Sequence, residues 1–184
     1  MVYRNQLRQL LQQYKPMPEE QIYKSRMLAF LDQHPDAFER SLQIGHFTAS
    51  AWLLSVDGSQ ALLMHHAKLN LWVQLGGHAD GDTNLLAVAM KEAQEESGIM
   101  GIETIIPEIF DIDIHTIPAN AKEPAHEHFD VRFLLRVTSD EQVIANKESK
   151  ELRWIGKDPA ELPTTQRSVV RLFEKWVTRS NWIC

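Results

Sequence analysis

Residues 76–99, GGHADGDTNLLAVAMKEAQEESGI, restrict the fold of this chain more than any other stretch. A double glycine opens a polar turn, a helix of apolar period follows, and Gly98 supplies its stop. At about 100° per residue, with Glu92 set at zero, Glu96 falls near 40° and Glu95 near 300°, so the three carboxylates share an arc of about 100°. Leu86, Ala89, Met90 and Ala93 form a separate apolar arc, centred near about 110°, that must meet a core. Like charges at these spacings cost about 0.2–0.5 kcal/mol per pair, and negative charge in a last helical turn opposes the macrodipole. Lys91 and Lys122 are too few and too loosely placed to supply the missing counter-charge. A tight cluster of oxygen donors suits a hard divalent cation, Mg²⁺ or Mn²⁺, which also recruits phosphate oxygens. The competing reading is a solvated, Glu-rich helix end.

The spacing within this stretch resembles the Nudix box, G-x5-E-x7-R-E-U-x-E-E-x-G-U with U aliphatic: Gly77, thirteen residues, then KEAQEESGI. The resemblance implies that Glu92, Glu95 and Glu96 are the metal-binding and catalytic glutamates, that Gly76 offers its backbone carbonyl to the metal, and that Gly98 and Ile99 close the motif. It implies a Nudix-like alpha/beta/alpha sandwich with a mixed sheet. The implied activity is Mg²⁺- or Mn²⁺-dependent hydrolysis of a nucleoside diphosphate linked to another moiety, or of a related small organic pyrophosphate. A bound cation lowers the pKa of water and a carboxylate removes its proton. That base is Glu92 or Glu148; the latter stands in NKESKE, a region where many members supply a further glutamate, although a plain surface acid reads the same way.

Two positions depart from the pattern: Thr83 replaces Glu and Lys91 replaces Arg. In the family these residues support the loop and orient the glutamates, and Lys lacks the planar fork of Arg. Asp80 or Asp82 are the compensating candidates, and Thr83 also reads as a helix N-cap. The departures keep open a second reading, a catalytically weak or inactive ligand-binding sensor. Isomerase chemistry on an isoprenoid diphosphate calls for a Cys–Glu pair, and the single cysteine, Cys184, stands far along the chain from the box.

Around the box the hydrophobic period changes twice. RNQLRQLLQQY and PEEQIYKSRMLAFLDQHP are helical, giving an extension over residues 1–40 ahead of a main domain at 41–184. HFTASAWLLSV and ALLMHH read as strands joined at Asp57-Gly58, with further strands expected at 105–114, 129–137 and 152–155. Val169, Leu172, Phe173 and Trp176 form the apolar stripe of a last helix at 164–179, and Trp154, Trp176 and Trp182 read as packing residues. Strands mixed with helices indicate an α/β (α+β) sandwich.

A formal charge of -6 argues against a general nucleic-acid or acidic-membrane surface, and a small phosphorylated molecule is the expected partner. The lone cysteine, the polar N-terminus and the lack of a long apolar run point to a cytoplasmic protein, with a homodimer possible. Eight histidines invite a zinc reading, chiefly at His126, His128, His115 and His65-His66, but no cysteine partners them and His-x-His alone fixes no third ligand. The stronger expectation is a polar cleft wall: His126, His128, Asp130 and Arg132 alternate along one strand face, with Trp72, Gln74 and His78 near its mouth. A hydrogen-bonded strand face competes with it, in which Arg132 simply pairs with Asp130, and Trp72 competes as a core aromatic.

Overall fold

A computed structural model describes residues 2–120 and 123–178; Lys122, Trp182 and Cys184 lie outside them. Helix α1 (Val2–Gln13) is followed by a 3-10 turn at Pro18–Glu20 and by α2 (Gln21–Gln33). Strands β1 (Gly45–Leu54), β2 (Ala61–His66), β3 (Trp72–Val73) and β4 (Leu75–His78) lead into α3 (Leu85–Ser97). Then come β5 (Ile102–Thr104), β6 (Asp111–Ile117), β7 (His126–Val137), β8 (Ser149–Ile155) and α4 (Arg167–Thr178).

The eight strands form one mixed sheet built on β1 and β7, which run parallel in unbroken register from Gly45↔Glu127 to Leu54↔Arg136. Such a pair must be covered on both faces, and every residue of β1 is buried. On one face Phe47, Ala49, Ala51, Leu53, Phe129, Val131 and Phe133 pack beneath α1, α2 and α3. On the other, Trp52, Leu54, Leu63 and Leu134 meet Val169, Leu172, Phe173 and Trp176 of α4. The alpha/beta/alpha sandwich and mixed sheet expected from the sequence are present.

The N-terminal helices are part of this core: Leu7, Leu11, Met27 and Leu31 are buried within it. They are also tied to α4 by charge. Lys175 Nζ lies 2.6 Å from both Glu20 Oε1 and Asp111 Oδ1. Arg171 pairs with Asp111 at 2.9 Å and Asp113 at 3.0 Å.

Two expectations need correction. Of the strand foreseen at 105–114, only the part from Asp111 onward is strand, in β6; Pro107 cannot donate to a sheet ladder, and residues 105–110 form the connection from β5. The N-cap of α3 is Asn84, whose side chain accepts from the Ala87 N–H, and not Thr83. Thr83 instead lines a cavity shared with Tyr3, Leu7 and Leu10. Among the described residues no helix is long and apolar enough to cross a membrane.

Candidate active site

The acidic helix lies against β4, and its wheel is more compromised than its sequence implied. Its buried positions, Leu85, Val88, Ala89, Ala93, Glu96 and Ser97, run from about 320° through zero to about 140° on the same wheel. The core arc therefore overlaps the acid arc, and the glutamates are graded in exposure. Glu96 is 3% exposed, the Glu92 side chain 18% and the Glu95 side chain 58%.

The double glycine lets this arrangement close. The Gly76 N–H donates to Glu96 Oε2 at 2.8 Å. A Cβ on Gly77 would stand 2.5 Å from Glu92 Oε2, so only glycine leaves the carboxylate where it is. At the other end Gly98 adopts φ 76°, a left-handed cap, and donates to the Gln94 carbonyl.

Residues 144–148 then fold over the helix end. Ile144 N–H donates to the Ser97 carbonyl at 2.7 Å and Asn146 Nδ2 to the Glu95 carbonyl at 3.1 Å, satisfying acceptors that a helix terminus leaves open. Glu148 follows directly and its charge reaches both Glu92 and Glu96.

Electrostatically the cluster is only weakly compensated. Burial, then the charges of Glu92, Glu148 and Glu95, push the Glu96 carboxyl up to about 8, against the opposing Gly76 N–H. Burial likewise raises Glu92, with Glu95, Glu148 and Asp80 adding to it and Lys91 working against them. Lys91 reaches Glu92 at 3.8 Å and Glu95 at 3.6 Å, but its side chain is 65% exposed, and such surface pairs contribute little. The acids foreseen as compensating for Thr83 are bonded to other groups: Asp80 pairs with Arg40, with one contact at 2.7 Å, and Asp82 accepts from the Asn84 N–H. Buried, all-oxygen donors whose charging is disfavoured fit a hard divalent cation, because the ion removes the cost that burial imposes.

The other residues singled out by the sequence separate into two groups. Gln74, His78, His126 and His128 lie on the sheet face turned away from α3. There Gln74 Nε2 reaches Ser50 Oγ and Asp130 Oδ2, each at 3.3 Å, and the histidine rings cluster with that of His46. Arg132 shares this face and bonds the same Asp130 carboxylate, while Trp72 stands on the edge strand. Arg132, expected on the substrate wall, is 1% exposed and enclosed by Asp130 at 2.7 Å, Asp111 at 3.0 Å and Asp113 at 3.3 Å. Its charge is fully committed inside the fold. Trp72 stacks on His65 at 5.0 Å beneath Arg153, and lines a groove with Leu162 and Gln166 at the sheet edge.

Sequence reasoning missed His46. Its one visible signal is that it opens a strand whose register partner is His128, a pairing that no local pattern reveals.

The family model for the NUDIX domain matches residues 46–176. Among solved structures, a NUDIX family hydrolase from Clostridium perfringens is 24% identical, with a TM-score of 0.51 over 71% of this chain and 95% of that one. The E. coli dihydroneopterin triphosphate pyrophosphohydrolase is 15% identical, with a TM-score of 0.57 over 72% and 94%. A UDP-X diphosphatase is 12% identical, with a TM-score of 0.51 over 95% of this chain and 92% of that one, so the likeness extends into the N-terminal helices. No curated protein matches the sequence.

Proposed function

The chain belongs to the NUDIX family and is a hydrolase of diphosphate bonds, and we propose that it cleaves a nucleoside diphosphate linked to another moiety, or a related small organic pyrophosphate, with Mg²⁺ or Mn²⁺. The observation that carries this reading is Glu96, a buried carboxyl held by the Gly76 N–H among three further carboxylates. In this reading Glu92, Glu95, Glu96 and Glu148, with the Gly76 carbonyl, hold the cation. When bound, it neutralises phosphate charge and supplies an acidified water.

Glu92 is the better-supported base, because its raised pKa brings it nearer the working pH of a proton acceptor. Glu148, on the facing loop, is the alternative. Gln74 and His78 flank Gly76 along the chain and are assigned to substrate contact, with His126 and His128 on β7, across β1 from β4. Trp72, which lines the groove at Gln166, is kept as a further candidate for substrate contact.

The test is phosphate release from nucleoside triphosphates, dinucleoside polyphosphates, ADP-ribose and sugar nucleotides, with Mg²⁺, with Mn²⁺ and with chelator, beside Glu95→Gln. Metal-dependent turnover reduced by orders of magnitude in Glu95→Gln is the expected result. Turnover that survives the chelator, or is unchanged in the variant, would remove the carboxylate site. Silence over the whole panel with metal still bound would favour a ligand sensor.

A further inference from the structure

Three adjacent strands bring histidines to one point on the sheet face opposite the acidic helix. His46 on β1 is the direct cross-strand partner of His128 on β7, and His78 on β4 pairs opposite Thr48, two residues along β1. All three side chains share one face, as the two-residue alternation of strands requires. The ring centroids are 4.9 Å apart for His46–His128, 5.1 Å for His46–His78 and 4.9 Å for His78–His128. One ligand nitrogen from each ring lies within 4.8 Å of the others.

We infer that His46, His78 and His128 form a binding site for a borderline divalent cation of the Zn²⁺ class, separate from the carboxylate site and with a coordination position left open. One observation beyond proximity carries it: the imidazoles have unmet bonding capacity. His46 is 2% exposed, yet neither of its ring nitrogens completes a hydrogen bond, and His128 Nε2 is buried without a partner. Buried polar atoms are normally paired, and an orphan of this kind marks a group awaiting something.

Burial among the neighbouring rings is consistent with this, because it lowers His46 and His128 and so favours the neutral form in which imidazole ligates. The Leu42 carbonyl favours the charged form of His46, but only weakly against burial.

The geometry requires a small adjustment. Tetrahedral Zn–N bonds of about 2.0–2.1 Å place ligand nitrogens about 3.4 Å apart, so the rings must close by roughly 1 Å. Rotation about the side-chain torsions of half-buried His78 and His128 can supply this while the three strands stay fixed. Imidazole nitrogens select zinc, copper or nickel over Mg²⁺, which takes oxygen ligands. Two more histidines border the cluster with their own restraints: His126 Nδ1 lies 2.9 Å from the Pro124 carbonyl and His115 Nδ1 3.1 Å from Asp113 Oδ2. Three protein ligands and an open position match zinc sites that take water or an anionic oxygen as fourth ligand.

The test uses untagged, chelator-stripped full-length protein titrated with Zn²⁺ against a chromophoric chelator. Co²⁺ absorption and histidine-selective ¹⁵N NMR serve as independent readouts. One Zn²⁺ per chain is expected, unaffected by excess Mg²⁺, with the His46 and His128 ring resonances moving together at one equivalent. His78→Ala and His128→Ala should each weaken binding by more than the roughly 10–100-fold that loss of an outer-shell partner costs. Glu95→Gln should leave it unchanged, which keeps this outcome distinct from failure of the hydrolase reading. Absence of stoichiometric Zn²⁺ binding would overturn the proposal. So would Zn²⁺ that moves neither ring resonance, or binding lost in Glu95→Gln but kept in both histidine variants.

Discussion

Glu96→Gln tests the electrostatics of the carboxylate cluster without reference to any substrate. In the folded protein the Glu96 carboxyl titrates near 8, well above its ordinary value of 4.5. Between those two values the folded state keeps a proton that the unfolded chain has released. Stability from this group is therefore full below about pH 4.5 and declines as pH rises toward the folded pKa. At 1.36 kcal/mol per pKa unit, the wild type loses about 1 kcal/mol by pH 5, about 3 by pH 7 and about 5 by pH 9 through this residue. Glutamine mimics the protonated form and can still accept from the Gly76 N–H, so the variant avoids the loss. In chelator, urea unfolding at the three pH values should show Glu96→Gln becoming progressively more stable than wild type by those amounts. Acids outside the cluster cancel in the difference. Mg²⁺ should then restore the wild type far more than the variant, by about 2.7 kcal/mol at a hundredfold excess over Kd. A stability difference independent of pH, or a variant less stable than wild type at pH 9 without metal, would refute the account.

How far the sequence carried depends on whether an interaction is local. The helix with three glutamates, its Gly98 stop and the Asp57-Gly58 turn are set by neighbours in sequence, and each appears in the fold. The register of β1 on β7 is not. It joins residues about eighty positions apart, and it alone decides that His46 meets His128 and that Asp130 meets Ser50 and Thr48. Of the two readings of Arg132, the pair with Asp130 is the local one and is present. Its alternation on the strand is as expected, but the carboxylates of Asp111 and Asp113 that enclose it arrive from β6. Glu148 was nominated only by resemblance; what brings it to the cluster is Asn146 bonding across to the end of α3. The overlap of the acid and core arcs escaped because Leu85 and Val88, not Leu86 and Met90, belong to the buried face.

Further perturbations separate stability from chemistry. Lys175→Met removes the cation lying 2.6 Å from both Glu20 and Asp111, which are fully buried, and should cost about 3–5 kcal/mol in urea unfolding. Adding Glu20→Gln to that variant should recover part of the loss; no recovery would show that the pair is not coupled. The two glycines of the box should respond in opposite ways. A Cβ at Gly76 would meet Ser50 Oγ at 2.4 Å and the Ala49 carbonyl at 2.6 Å, where a fixed strand cannot yield, so Gly76→Ala should lower stability directly. At Gly77 the nearest atoms belong to the Glu92 carboxylate, at 2.5 and 2.7 Å, and the end of a flexible side chain can swing aside. Gly77→Ala should therefore unfold within about 1 kcal/mol of wild type, while turnover falls about 100-fold, the scale on which a displacement of roughly 1 Å acts at a reacting centre. Equal loss of stability at both positions would mean that Glu92 is wedged in place and not poised over the glycine, and full activity in Gly77→Ala would remove Glu92 from the reaction.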